Sequence, residues 1–186
     1  MTDAAVKSAR LRWAAGAVAV LVLAGDQVSK SLVLATHPGP TSSGLVSIRL
    51  VRNTGASFGV GAGHPLVIVL SALVVVAIVI VLLVRTSSRA AALFLAAVLG
   101  GALGNLADRL FRAPGLGRGA VVDWIHLSFY SPTFNLADLA IRVGAVGAVL
   151  ALLGVRMRGL SRPGRRPADA AVGLDPLSSR DKQADA

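Results

Sequence analysis

Four long apolar runs constrain this sequence more than any other feature. They cover residues 13–34, 65–84, 90–111 and 134–155. The hydrocarbon core of a lipid bilayer is about 30 Å thick, which an α-helix crosses in about 20 residues. The sequence therefore predicts an all-α membrane protein with four transmembrane helices. Its composition agrees, because 54% of the residues are hydrophobic and only 15% are charged.

The distribution of basic residues predicts the orientation of these helices. Twelve of the sixteen Lys and Arg residues outside the runs lie in the N-terminal tail (1–12), the link at 85–89 and the C-terminal tail (156–186). Cytoplasmic segments are enriched in Lys and Arg, so both termini are predicted to be cytoplasmic. The first run also has features of a cleaved signal peptide, but an even number of spans fits the charges and favours a retained helix.

Three domains are expected along the chain. Residues 1–12 form a cytoplasmic N-terminal tail and residues 13–155 a four-helix transmembrane domain. Residues 156–186 are basic and contain Pro and Gly without apolar periodicity, so we expect a disordered cytoplasmic tail.

Both loops on the predicted outer side contain structured patterns. Residues 46–51 alternate in side-chain direction, as a half-exposed strand does, and "GASFGVGAG" after them favours a turn and a returning strand. This predicts a small extracytoplasmic β-cradle. The loop at 112–133 contains an amphipathic stretch with Trp124, Phe129 and Tyr130, which suits a short amphipathic helix at the membrane interface.

The composition excludes several kinds of chemistry. The chain contains no Cys, which excludes disulfides, thiolate metal sites and a Cys nucleophile. His37, His64 and His126 lack metal-ligand spacing, so neither a metal nor a cofactor is expected. The net charge of +10 fits membrane orientation better than nucleic-acid binding, because only 4% of residues are aromatic and the basic residues flank apolar runs.

Polar residues concentrate at one predicted depth, near the extracytoplasmic interface. These residues are Asp26, Lys30, Asn53, Asn105, Asp108, Asp123, Asn135 and Asp138. An ionisable residue within a span costs at least ~2.5 kcal/mol and usually faces a cavity or a partner. Local ion pairs offer a structural alternative, namely Asp26 with Lys30, Asp108 with Arg109 or Arg112, and Asp138 with Arg142. Asp123 has no local partner, so we expect its pKa to be raised.

Two carboxylates held close together share a proton. One then acts as a base on water while the other donates a hydrogen bond to the carbonyl under attack, as in aspartic proteases. Asn105 and Asn135 each precede an Asp by three residues on a helix and face the same way as that Asp. They are suited to orient a carboxylate or to hold a substrate backbone.

Five motifs resemble those of the bacterial lipoprotein signal peptidases, the signal peptidase II family of membrane aspartyl peptidases. They are "DQVSK" at 26–30, "RNTGASFG" at 52–59, "GGALGNLADR" at 100–109, "VVDWI" at 121–125 and "FNLADLAI" at 134–141. Departures from the family pattern are minor: Trp124 stands where Phe is more usual, and the basic tail has no counterpart.

The resemblance implies a catalytic dyad of Asp123 and Asp138. It also implies substrate-binding or supporting roles for Asp26, Lys30, Asn53, Gly55, Gly104, Asn105, Asp108, Arg109, Asn135 and Ala137. The implied activity removes the signal peptide from diacylglyceryl-modified prolipoproteins on the N-terminal side of the lipidated Cys. The implied enzyme lies in the bacterial plasma membrane and contacts membrane lipid, with its active site near the extracytoplasmic face. We expect it to be a monomer.

Several of these residues and motifs also fit a different role. Small residues such as Gly100, Gly101 and Gly104 suit close helix packing at least as well as peptide binding. Proton-coupled transport is an alternative function, although the polar groups are confined to the outer half of the spans. A non-enzymatic scaffold is disfavoured by the unpaired Asp123. A Ser/Lys peptidase is disfavoured because Ser29 and Lys30, as adjacent helical residues, point about 100° apart.

Overall fold

The computed structural model describes residues 3–36, 39, 41–55 and 63–160. Over these residues the chain forms four long helices and four short strands. In chain order they are α1 (Asp3–Thr36), β1 (Thr41–Ser43), β2 (Val46–Asn53), α2 (Pro65–Arg85), α3 (Arg89–Phe111), β3 (Val121–Leu127), β4 (Tyr130–Phe134) and α4 (Leu136–Leu160). Each helix is long and apolar enough to cross a membrane, which confirms the four predicted spans.

The ends of the helices differ from the sequence prediction in two places. Helix α1 begins at Asp3, so it continues through most of the predicted N-terminal tail. Helix α4 continues to Leu160, a short way into the predicted C-terminal tail. The rest of that tail, and the returning strand predicted after β2, lie outside the described residues.

The strands form one antiparallel sheet in the order β1-β2-β3-β4. Strand β2 confirms the strand predicted from the alternation at 46–51. It pairs with β3 so that Ile48 lies opposite Ile125 and Val51 opposite Asp123, with an irregularity in register between them. Strand β3 is therefore flanked on both sides, which holds the backbone at Asp123 on an inner strand.

The prediction of a short amphipathic helix within 112–133 is wrong. That segment forms β3 and β4, which pair as a hairpin with Leu127 opposite Tyr130. The β-branched Val121 and Val122 favour extended backbone, and β2 supplies partners for the hydrogen-bonding groups of β3. Pro132 has no N–H to donate within a helix, but it is tolerated on β4, an edge strand of the described sheet.

Helix α3 lies at the centre of the bundle and packs against α1, α2 and α4. Its glycines permit close approach, because a Cβ at Gly100 would collide with the backbone of Ala19 in α1. A Cβ at Gly101 would likewise collide with the backbone of Ala137 in α4. This favours the packing interpretation of these small residues. Helix α2 packs mainly against α3 and exposes most of its apolar side chains.

Candidate active site

The predicted site residues meet where the C-terminal parts of α1 and α3 and the N-terminal end of α4 approach the sheet. Contacts between neighbours join all twelve of them into one continuous network: Asp26, Lys30, Asn53, Gly55, Gly104, Asn105, Asp108, Arg109, Asp123, Asn135, Ala137 and Asp138. Residues far apart in sequence therefore form a single site.

One part of this network is a charged cluster formed by Asp26, Lys30, Asp108 and Arg112, called the ion cluster below. Lys30 Nζ lies 2.8 Å from Asp26 Oδ2 and 2.8 Å from Asp108 Oδ2. Arg112 Nε lies 2.6 Å from Asp108 Oδ1. Asp26, Lys30 and Asp108 are completely buried. Two positive and two negative charges thus compensate each other, and the predicted pairs Asp26–Lys30 and Asp108–Arg112 are both present.

The ion cluster also fixes the backbone beside the two other carboxylates. The backbone N–H of Ala137 donates to Asp26 Oδ1 at 3.0 Å. The backbone N–H of Val122 donates to Asp108 Oδ2 at 3.2 Å. Each of these donors immediately precedes an Asp in the sequence. The ion cluster therefore holds the start of α4 and the strand β3 in place.

Gln27 is a member of this network that the sequence analysis missed. Its Nε2 donates to Asp108 Oδ1 and to the backbone carbonyl of Gly104, each at 3.1 Å. Its Oε1 accepts from Arg112 at 3.4 Å. The sequence did contain a signal for Gln27, because it is an amide within the apolar run of α1 and polar groups in a span usually face a partner.

The second part of the network contains Asp123 and Asp138, called the carboxylate pair below. Their hydrogen-bonded side-chain partners among the described residues are amides. Asn53 Nδ2 donates to Asp123 Oδ2 at 3.1 Å, and Asn135 Nδ2 donates to Asp123 Oδ1 at 2.6 Å. Asn105 Nδ2 donates to Asp138 Oδ1 at 2.8 Å. Neutral donors therefore position both carboxylates without supplying a compensating charge.

The amide of Asn105 connects the two parts. Its Oδ1 accepts from Lys30 Nζ at 3.0 Å and from Asn135 Nδ2 at 3.1 Å. With the oxygen occupied by these donors, the NH₂ group faces Asp138. Lys30 thereby donates to both buried aspartates of the ion cluster and to Asn105, which uses all three of its N–H groups.

Asn135 has a second role as the N-cap of α4. It immediately precedes the helix, and its Oδ1 accepts from the backbone N–H of Asp138 at 2.9 Å. Asn is among the preferred N-cap residues because its side-chain oxygen satisfies a free N–H of the first turn. Asp138 lies in that first turn, where the partial positive charge of a helix N-terminus stabilises a carboxylate.

Burial raises the pKa of Asp123 from 3.8 to about 6, with the neighbouring Asp138 carboxylate as a further cause. The hydrogen bonds from Asn53 and Asn135 act in the opposite direction but do not cancel these effects. The raised pKa predicted from the sequence is confirmed. The partners of Asp123 come from distant segments, which a search of its local sequence does not find.

Two arginines pair differently from the ion pairs that the sequence suggested. Arg109 donates to the backbone carbonyls of Asn105 and Gly55, each at 2.9 Å, and so fixes the backbone after β2. The ion pair predicted between Arg142 and Asp138 is wrong. The guanidinium of Arg142 instead lies over the rings of Tyr130 and Phe134, because the β4 strand brings these aromatic faces beside α4.

A cavity of about 270 Å³ lies between α2, α3, α4 and the sheet. Asp123 and Asp138 both line it, together with apolar side chains of α2 such as Ile68 and Val75.

Among the described residues, no group of three or more His, Asp or Glu side chains is arranged to hold a metal ion. Ser29 does not form a dyad with Lys30, since its hydroxyl donates to the carbonyl of Asp26 at 2.8 Å.

Four membrane helices beside a small sheet, with two carboxylates that face one cavity, are the arrangement expected of a membrane aspartic peptidase. A family model described as "Signal peptidase (SPase) II" matches residues 18–154. The chain therefore belongs to the signal peptidase II family and is an aspartic endopeptidase.

Curated relatives agree with this assignment. A lipoprotein signal peptidase of Rhodococcus jostii is 43% identical over 147 residues, which cover 76% of this chain and 74% of the relative. One from Mycobacterium tuberculosis is 40% identical over 156 residues, covering 82% and 76%. One from Leifsonia xyli is 34% identical over 165 residues, covering 87% and 74%. None of these matches supports the transporter alternative.

The fold is similar to that of a solved bacterial membrane enzyme, determined by the in meso method at 2.3 Å resolution. The TM-score is 0.67 at 24% sequence identity, and the alignment covers 80% of this chain and 93% of the other. A second such structure, at 1.9 Å, gives a TM-score of 0.64 and covers 75% and 92%. The four-helix membrane architecture with its small sheet is thus a known fold.

Proposed function

We propose that this enzyme removes signal peptides from diacylglyceryl-modified prolipoproteins, with Asp123 and Asp138 as its catalytic residues. Processing of prolipoproteins is the activity of the family to which the chain belongs. The assignment of Asp123 and Asp138 as catalytic residues rests on their surroundings. They face one cavity and are held by neutral amides, whereas Asp26 and Asp108 are paired with cations.

The two carboxylates have different proposed roles. Asp123 carries the shared proton, since burial and its neighbour raise its pKa to about 6. Asp138 is the proposed base, because it accepts a hydrogen bond from Asn105 and lies in the first turn of α4. A pair with one proton supplies an acid and a base at once.

The proposed reaction begins when Asp138 takes a proton from a water molecule whose oxygen attacks the scissile carbonyl carbon. Asp123 gives its proton to the carbonyl oxygen, and a neutral tetrahedral diol forms. As the diol collapses, one hydroxyl returns a proton to Asp123 and the C–N bond breaks. Asp138 gives its proton to the departing nitrogen of the lipidated Cys, so the pair regains its starting state.

The cavity suits a substrate that arrives through the bilayer. Its wall on α2 is apolar, and α2 packs mainly against α3, which leaves the side between α2 and α4 open to an entering segment. We expect the apolar signal peptide and its lipid to enter there. One chain supplies both proposed catalytic groups, so we propose a monomeric enzyme.

The proposed topology has cytoplasmic termini and an extracytoplasmic active site, with 13–155 as the peptidase domain. The excess of Lys and Arg in the tails and in the 85–89 link supports it. Because the chain contains no Cys, single-Cys variants give a clean test. A membrane-impermeant maleimide is expected to label Ser128→Cys, in the β3–β4 turn, but not Ser87→Cys in intact cells. The reverse pattern would overturn the orientation.

The function is tested with purified enzyme and a diacylglyceryl-modified prolipoprotein. Mass spectrometry is expected to find a product that begins with the lipidated Cys. The same precursor without the lipid is the matched control and is expected to remain uncut. A folded enzyme that cuts neither precursor would contradict the proposal.

A further inference from the structure

Arg142 is a cation in the membrane-spanning part of α4 that the proposed reaction does not use. It lies four residues beyond Asp138 within the span Leu136–Gly154 and lines the same cavity. At a rise of about 1.5 Å per residue, its Cα lies about 6 Å further along the helix than that of Asp138. Its side chain reaches back to the rings of Tyr130 and Phe134 in β4, so the enzyme has a positive charge beside its carboxylate pair.

Two aromatic rings hold this guanidinium in place. Its central carbon lies 5.7 Å from the ring centroid of Tyr130 and 5.6 Å from that of Phe134. The rings themselves meet edge to face, with centroids 6.2 Å apart. Such cation–π contacts restrain a guanidinium by its face and leave the N–H groups at its edge available.

Those N–H groups have no acceptor among the described residues, since Arg142 makes neither a hydrogen bond nor an ion pair there, including with Asp138. An arginine is always charged and carries five N–H donors. Near the end of a span such a group reaches toward the interface, where it binds water or another oxygen acceptor. An exposed, unsatisfied guanidinium facing the cavity therefore calls for a ligand with oxygen acceptors.

The position of the guanidinium beside β4, near the start of the span, identifies the chemistry of that ligand. The acyl chains of a diacylglyceryl group extend into the bilayer from two ester carbonyls that lie at its polar boundary, near the depth of the scissile bond. These carbonyls are acceptors, and they are close in the covalent structure to the Cys whose peptide bond is cut. Carbonyls within a helical signal peptide are already paired within the helix.

We propose that Arg142, braced by Tyr130 and Phe134, binds the ester carbonyl oxygens of the substrate's diacylglyceryl group and thereby selects lipidated precursors. This inference rests on the proposed function and adds a residue that determines specificity. Bilayer phospholipids carry the same glyceryl esters, so the test must separate the two sources.

The test compares two synthetic precursors, one with a diacylglyceryl Cys and one with a dialkylglyceryl Cys, whose ether links lack the carbonyls. Each is assayed in nanodiscs of ester-linked and of ether-linked phosphatidylcholine. The wild-type enzyme is expected to cleave the ester precursor with a kcat/KM about tenfold higher in both membranes, the size typical of hydrogen bonds to a charged group. The difference is expected mainly in KM.

Variants assign this preference to Arg142. Arg142→Gln is expected to lower kcat/KM for the ester precursor to the ether value and to leave the ether precursor unchanged. Arg142→Lys, which keeps the charge, is expected to retain part of the preference for the ester precursor. It replaces Arg142→Gln in the comparison if the Gln variant does not fold. Arg118→Gln, an exposed arginine that does not line this cavity, is the matched control and keeps the full preference.

Several outcomes would overturn the inference. Equal cleavage of both precursors by the wild-type enzyme would refute it while leaving the proposed function intact. A rate that depends on the linkage of the nanodisc lipid instead of the precursor would assign Arg142 to bilayer phospholipid. A preference that survives in Arg142→Gln would assign it to other residues. Failure to cleave either precursor would refute the proposed function as well.

Discussion

The ion cluster and the carboxylate pair are neighbours, and each contains two aspartates, of which only Asp138 is partly exposed. In the ion cluster, Lys30 and Arg112 lie within 2.8 Å of the carboxylates they neutralise. In the carboxylate pair, the corresponding positions are occupied by the amides of Asn53, Asn105 and Asn135. The same acidic side chain thus has a cation as its hydrogen-bonded partner in one place and neutral donors in the other, where the charge of Arg109 acts on it only through space.

This difference separates a structural role from a chemical one. A neutralised carboxylate in a buried ion pair keeps its charge and is a poor proton carrier. A carboxylate positioned by amides beside another carboxylate takes up a proton instead, as the raised pKa of Asp123 indicates. We expect substitutions in the carboxylate pair to change turnover and substitutions in the ion cluster to change stability.

The largest expected effect is on turnover. Asp123→Asn and Asp138→Asn are each expected to lower kcat/KM by at least about 10⁴-fold, because removal of one acid–base partner disables the pair. The thermal midpoint of both variants is expected to stay at or above that of the wild-type enzyme. Cleavage rates and thermal unfolding in detergent measure the two quantities. Asp3→Asn, which changes an exposed carboxylate in α1, is the matched control and is expected to leave both unchanged.

The next largest effect is on stability. Lys30→Met leaves Asp26 and Asp108 buried without their shared cation, and we expect a loss of about 3–5 kcal/mol in the free energy of unfolding. Lys7→Met is the control, because it removes the other i,i+4 Lys–Asp pair of α1, whose side chains are mostly exposed. That change is expected to be small. Similar losses from both variants would contradict the structural role of the ion cluster.

A smaller loss is expected from Gly104→Ala. The added Cβ would lie 2.6 Å from Asp26 Oδ2, so α1 and α3 must separate or the ion cluster must distort. We expect a cost of about 1–3 kcal/mol, typical of overpacking. Gly25→Ala meets nothing within 4 Å and is expected to stabilise α1 by up to about 1 kcal/mol. Equal midpoints for the two variants in thermal unfolding would count against this packing.

The smallest expected effect is a shift in pH dependence. The proposed acid, Asp123, must be protonated, so kcat/KM is expected to fall as the pH rises through about 6. Asn53 stabilises the charged form of Asp123 by its hydrogen bond. Asn53→Ala therefore raises the pKa further, and the basic limb of the profile is expected to move to higher pH. A shift to lower pH would show that another group controls this limb.

The sequence predicted the helices and part of the ion cluster because both depend on local spacing. The spans follow from apolar runs of bilayer length, and Asp26 with Lys30 follows from the i,i+4 geometry of one helix. Asp108 with Arg112 follows from the same geometry. The common predicted depth of the polar residues also indicated Asn53, Asn105, Asp123, Asn135 and Asp138. The resemblance to signal peptidase II then supplied the roles of these residues.

Contacts that depend on tertiary structure were not predictable in this way. Asn53 and Asn135 reach Asp123 only because β2 and the start of α4 approach β3 in the folded chain. Arg142 has the correct spacing to pair with Asp138, but β4 offers it two aromatic rings. The segment 112–133 contains an amphipathic pattern that would also suit a helix. It forms strands because its first strand, β3, pairs with β2.

The most direct test of the central claim is an infrared titration of the protonated carboxyl group in the intact enzyme. We expect a protonated carboxyl signal that disappears with a midpoint near pH 6, is absent in Asp123→Asn and titrates at lower pH in Asp138→Asn. Such a result would establish that Asp123 holds the shared proton and that Asp138 keeps it there. A signal that persists in Asp123→Asn, or that titrates identically in Asp138→Asn, would contradict the account.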